Sequence, residues 1–105
     1  MNIRFALTLP ALLCASIASA DVLYDEAISG DLSGDRFNPT QGGALALGSN
    51  TLSASVVVDD LDFITFSVPA GSELAAVTLT AFDSTLGNRA FMGVQTGSVF
   101  TLDPD

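Results

Sequence analysis

Asp62-Phe63-Ile64-Thr65-Phe66-Ser67-Val68 and, beyond the turn Pro69-Ala70-Gly71-Ser72, Leu74-Ala75-Ala76-Val77-Thr78-Leu79-Thr80-Ala81-Phe82 change side-chain character at almost every step. In the first run Ile64, Phe66 and Val68 share one face, and Phe63, Thr65 and Ser67 the other. In the second, Ala75, Val77, Leu79 and Ala81 oppose Thr78 and Thr80. Upstream, Thr51-Leu52-Ser53-Ala54-Ser55-Val56-Val57-Val58 puts Leu52, Ala54, Val56 and Val58 on one face. Period two in Val, Thr and Phe marks half-buried strands, and no window beyond residue 20 keeps the helical i, i+3, i+4, i+7 pattern for three turns. Further strands are expected from Ala90 to Gln95 and Ser98 to Leu102, along an edge from Val22 to Ile28, and near Ala44 to Leu47. Gly30 to Gly43 reads as a long loop.

Turn residues separate these runs at Gly48-Ser49-Asn50, Val58-Asp59-Asp60, Gly87-Asn88 and Thr96-Gly97. Short strands at intervals of about ten residues predict an all-β fold, an antiparallel β-sandwich of jelly-roll-like form. Six or seven strands are few for two sheets that must cover one another. The expectation is therefore an incomplete domain, missing its last strands; the alternative is a small complete sandwich.

The N-terminus has a different pattern. Met1-Asn2-Ile3-Arg4 carries one positive charge, Phe5 to Ile17 is almost unbroken apolar, and Ala18-Ser19-Ala20 has the small-x-small form that signal peptidase accepts. Residues 1–20 read as a signal peptide and residues 21–105 as one domain. The apolar run is short of the ~20 residues that span a bilayer and contains Pro10. Leu13 before Cys14 is too large for a lipoprotein signal. Cleavage after Ala20 would leave Arg36 and Arg89 against 12 acids, with no Lys, Cys or His.

That inventory excludes much chemistry. Without His there is no Ser-His-Asp or Cys-His nucleophile system, and zinc loses its commonest ligand. The segment beyond residue 20 has no cysteine for a disulfide. Its acidity repels nucleic acid and anionic lipid, and makes divalent cations the natural counterions. No phosphate-loop spacing occurs, and some pair of carboxylates at glycosidase distance is inevitable among 12 acids, so it carries no signal. The expectation is a secreted or cell-surface protein that is not an enzyme. Its partners would be a polysaccharide or a surface matrix, with self-association through exposed edge strands.

Asn50-Thr51-Leu52-Ser53-Ala54-Ser55, then Asp59-Asp60-Leu61-Asp62-Phe63-Ile64-Thr65-Phe66-Ser67-Val68-Pro69-Ala70-Gly71, resembles the core of bacterial pre-peptidase C-terminal (PPC-like) domains: an Asp-x-Asp-aromatic strand, a Pro-Ala-Gly turn and a Leu/Thr-rich strand, here Val77 to Phe82. Tyr24-Asp25-Glu26-Ala27-Ile28-Ser29-Gly30-Asp31-Leu32-Ser33 resembles the opening of such domains in exported PEP-CTERM-type proteins. Ile64 stands where the family usually has a second aromatic, and Val57-Val58 replace a Gly-rich turn. No Val-Pro-Glu-Pro signal lies in the sequence. The resemblance implies a β-sandwich accessory module, commonly non-catalytic, attached to an exported enzyme or displayed on a surface. A carbohydrate-binding module of an exported hydrolase is the alternative.

Five acids are candidate metal ligands, with calcium as the candidate cofactor. Asp59, Asp60 and Asp62 set three carboxylates within four residues, and a turn at 59–60 would converge them; the competing reading is a solvated turn guarding a strand end. Asp31-Leu32-Ser33-Gly34-Asp35 matches the first positions of an EF-hand loop but has Arg36 where Gly is needed and Gly42 where Glu is needed. An irregular loop drawing on Asp31, Asp35 and Asn38 remains. Arg36 is expected to pair with an acid. Phe at strand positions is expected in the core, ahead of a sugar-stacking role.

Overall fold

The computed structural model describes residues 2–9, 20–55, 57, 59–83 and 91–103. Their elements are β1 (Asn2–Leu9), β2 (Asp21–Asp25), a single helical turn α1 (Glu26–Ser29), β3 (Thr40–Ala44), β4 (Gly48–Ser55), β5 (Ile64–Ser67) and β6 (Ala76–Asp83). The fold is β-rich with little helix, and the alternating runs around Leu52, Phe66 and Leu79 are strands β4, β5 and β6. Val56 and Val58, at the end of the first run, lie outside the described residues.

Four strands form one sheet in the order β2-β4-β1-β6, and β3 pairs with β5 in a second. The antiparallel expectation is corrected here. β1 is antiparallel to β4 and β6, but β2 runs parallel to β4 and β3 parallel to β5. No Asn-Gly or Asp-Gly pair, the usual two-residue hairpin signal, occurs between the strands. The connections instead cross between sheets: β3 and β5 in one flank β4 in the other, and such crossovers return strands in parallel.

The stretch read as the head of a leader is β1, the strand between β4 and β6. Its alternation explains why it can take that place: Ile3, Phe5 and Leu7 face one way and Arg4, Ala6 and Thr8 the other, and Ile3 and Leu7 are buried. Residues 10–19, the rest of the apolar run and most of the cleavage motif, lie outside the described residues. Leu7 and Leu45 form the centre of an apolar cluster with Phe5, Leu23, Leu52, Phe66 and Leu74 against them. That cluster draws on strands of both sheets, so burying it joins them, at about 25 cal/mol for each Å² removed from water.

Three other expectations change. The edge strand expected from Val22 to Ile28 stops at Asp25, whose carboxylate accepts the Ala27 N–H at 3.0 Å and starts α1. Gly30, at φ +94, ends that turn by donating to the Glu26 carbonyl, a conformation costly for any residue with a Cβ. The short strand near Ala44 to Leu47 is displaced to Thr40–Ala44, because Ala46 is bonded through both backbone groups to the buried Asn50 side chain. Residues 91–103 contain no strand. The Gln95 amide donates to Thr101 Oγ1 at 2.6 Å and accepts the Thr101 N–H at 3.1 Å, while the Phe100 N–H goes to the Arg36 carbonyl, so backbone groups a ladder would need are engaged elsewhere. Ala90 lies outside the described residues.

The Pro69–Ser72 turn forms as its sequence suggests. Ser72 donates to the Pro69 carbonyl at 3.0 Å, with Gly71 at φ +78. Among the described residues no helix is long and apolar enough to cross a membrane.

Candidate metal site

The acids best placed to act together are Glu26, Asp31 and Asp62, each offering a carboxylate oxygen, all within 4.8 Å of one another. Glu26 is fixed from two sides. As the first residue of α1, it accepts the Ser55 N–H at 3.0 Å from the end of β4 and the Leu32 N–H at 3.5 Å. Asp31 follows Gly30 and is held by its buried neighbour Leu32 and by the Tyr24 hydroxyl, which donates to the Gly30 carbonyl at 2.7 Å. Asp62 stands just before β5. There the Phe63 N–H donates to the Ser33 carbonyl at 2.8 Å and the Phe63 carbonyl accepts from Thr40, which ties this strand entry to the Asp31–Ser33 segment.

Asp31 is exposed and the other two are half-buried, yet both carboxylate oxygens of Asp62 are sealed from solvent and receive no hydrogen bond. The group facing them is the Glu26 carboxylate, which can bond to Asp62 only if one of the two carries a proton. The Asp62 pKa is accordingly raised from 3.8 to about 7, first by burial, then by the negative charges of Glu26 and Asp60, the shared-proton bond to Glu26, and the charge of Asp31. At neutral pH the cluster therefore needs a cation or a proton. Calcium holds oxygens at about 2.3–2.6 Å and so spans opposed ligands about 5 Å apart, which the 4.8 Å grouping satisfies. A depression of about 420 Å³ beside the cluster is lined by Glu26, Asp31, Asp25, Ser55 and, from β1, Ile3 and Arg4.

Of the five acids expected from sequence, the fold brings Asp31 and Asp62 together and leaves the other three outside the cluster. Asp60 is near enough to act on Asp62 through its charge alone. Asp59 sits in an exposed turn at φ +64, where the Asp60 N–H donates to the Val57 carbonyl. The Asp35 carboxylate accepts the Phe37 N–H at 2.9 Å and closes its own turn, in which Asn38 donates to the Asp35 carbonyl. Glu26 was missed by sequence reasoning; its only local mark is a Glu in the first turn after a capping Asp, five residues before Asp31.

Arg36 meets an acid as expected: its guanidinium lies 3.8 Å from Asp103, donates to the Leu102 carbonyl at 2.9 Å, and stacks over Phe37 at 4.7 Å. Phe5 and Phe66 pack on the core and Phe63 lies against Phe100 at 5.8 Å, whereas Phe82 on β6 is part-exposed and Phe37 and Phe91 are open to solvent. No family model, characterised protein or solved structure matches this chain.

Proposed function

We propose that the chain is a non-catalytic β-sandwich module of PPC-like type with a structural or binding role outside the cell, at a surface or in a matrix, steadied by calcium at Glu26, Asp31 and Asp62. The sandwich reading is supported by the apolar cluster that both sheets share. The observation that carries the calcium reading is the pair of sealed, undonated oxygens on Asp62, facing two further carboxylates. Buried carboxylate oxygens are expensive without a donor or a cation, and a divalent ion satisfies all three groups at once. It would bridge the end of β4, through Glu26, to the entry of β5, through Asp62, across the seam between the two sheets.

Thermal unfolding of the full chain, once in calcium at about 1 mM and once in chelator, tests this. Binding to the native state alone raises the melting temperature by several degrees when the ion is in large excess over its Kd. Identical melts in the two buffers would refute the calcium reading.

A further inference from the structure

Residues 91–103 form a segment closed on itself and fastened to the loop and strand entry that carry two of the converging acids. Its closure comes from the two hydrogen bonds between Gln95 and Thr101, and from the Phe100 ring folding back over Gly93, where an added Cβ would come within 3.0 Å of the ring tip. Its attachment comes from Phe63 and Arg36. The Phe100 ring lies against Phe63 with centroids 5.8 Å apart. The Arg36 carbonyl accepts the Phe100 N–H at 3.0 Å, and the Arg36 guanidinium donates to the Leu102 carbonyl at 2.9 Å and faces Asp103 at 3.8 Å.

Both anchors sit beside the acids. Phe63 follows Asp62 directly, and Arg36 lies five residues after Asp31, in the loop whose Ser33 carbonyl accepts the Phe63 N–H at 2.8 Å. Asp31 and Asp62 bring like charges within 4.8 Å of each other, so their repulsion loads that bridge. Residues 91–103 span the same two segments and add a second tie across them. An ion between the acids and a strap across their supports therefore favour one and the same closed arrangement, and each must strengthen the other.

We propose that residues 91–103 are a calcium-coupled strap: an ion held by Glu26, Asp31 and Asp62 tightens its docking, and loss of the ion loosens it and bares the facing rings of Phe63 and Phe100. The proposal rests on the calcium reading. Phe100 and Arg36 act in it as positioning residues, through Phe63 and the Asp31–Asp35 loop, without touching the ion.

The test uses the full chain and two measurements. Calorimetry gives the calcium affinity, and NMR follows hydrogen exchange of the residue-100 amide, whose bond to Arg36 reports docking, in saturating calcium and in chelator. Exchange should slow by about fivefold in calcium, and Phe100→Ala, which alters no charge, should weaken calcium binding by the same factor, because coupling between two sites is reciprocal. Phe100→Leu keeps an apolar side chain against Phe63 and should fall between the two. Calcium binding with no change in exchange at residue 100 would overturn the strap and leave the calcium reading standing; this arm needs no variant. A Phe100→Ala protein that melts lower by equal amounts in calcium and chelator, with unchanged calcium affinity, would overturn it too, since the segment would then only add stability. A wild-type chain that binds no calcium would refute the calcium reading and the strap together.

Discussion

Asp62 and Asp35 are the same residue type, 27 positions apart, and the fold uses them in opposite ways. Asp35 is exposed, and its carboxylate is engaged by the Phe37 N–H at 2.9 Å. Asp62 has both oxygens sealed, no donor, and two carboxylates nearby. The first stabilises a turn with its charge solvated, while the second stores repulsion that folding alone does not relieve. What separates the converging acids from the turn acids in this chain is therefore neither charge density, which is high at 31–35 and at 59–62 alike, nor freedom from backbone donors, since Glu26 accepts two N–H groups and still lies in the cluster, but whether the fold brings carboxylates from distant segments together.

Removing the Asp62 charge breaks the contrast most sharply. Asp62→Asn should abolish the calcium-dependent rise in melting temperature altogether. In chelator at pH 8 it should make the protein more stable, by on the order of 1–2 kcal/mol once solvent screening is allowed for, because the amide relieves repulsion and can donate to Glu26. A variant that kept the calcium response, or that lost stability in chelator, would mean that Asp62 has a donor or an ion partner of another kind.

The same group fixes a pH dependence. The folded chain holds the Asp62 proton up to about pH 7, whereas the unfolded chain releases it near 3.8. The folded state then binds more protons between those values, so this group's stabilising contribution is fully present below 3.8 and lost as pH rises toward 7. Calcium opposes that loss, since it takes the deprotonated carboxylate. Its apparent affinity should climb about tenfold per pH unit below about pH 7 and level off above. Calcium titrations followed by calorimetry at several pH values check this, and an affinity flat from pH 5 to 8 would place the ion elsewhere.

How much of this was legible in the sequence follows from the range of the forces involved. Alternation around Leu52, Phe66 and Leu79 exposed the strands because it is a local property, and Pro69-Ala70-Gly71 exposed its turn for the same reason. Strand direction did not show, since parallel pairing of β2 with β4 depends on a crossover and not on either strand. Ala90 to Gln95 and Ser98 to Leu102 read as two strands in side-chain pattern, but Gln95 takes the Thr101 N–H and the Arg36 carbonyl, 64 positions away, takes the Phe100 N–H, a contact invisible to a short window. For the cluster, two of the three converging acids were named. Glu26 was not, because 36 positions separate it from Asp62, and tertiary contacts such as the Phe63–Ser33 bridge bring their segments together. At the N-terminus, Ile3, Phe5 and Leu7 suit a leader and a central strand equally, so hydrophobic pattern alone could not choose.

Smaller changes sharpen the contrast from the other side. Asp35→Ala should cost about 0.5–1 kcal/mol by freeing the Phe37 N–H, with the calcium response intact. Denaturant melts in calcium and in chelator would show it as a uniform shift. A calcium response weakened by this change would move Asp35 into the site.

Asp59 gives the smallest effect and the cleanest control. It lies in the sequence cluster with Asp60 and Asp62, but its backbone is at φ +64, a left-handed conformation that Asp and Asn tolerate better than other residues with a Cβ. Asp59→Asn keeps that tolerance and removes only the charge, so stability should stay within about 0.5 kcal/mol and the calcium shift should not change. Asp59→Val removes the tolerance as well, and the left-handed backbone should then cost about 1–2 kcal/mol, equally in calcium and in chelator. If Asp59→Asn diminished the calcium shift, the turn at 59–60 would belong to the ion site, and the division between acids that cap turns and acids that converge would have to be redrawn around the hydrogen bond from Asp60 to Val57.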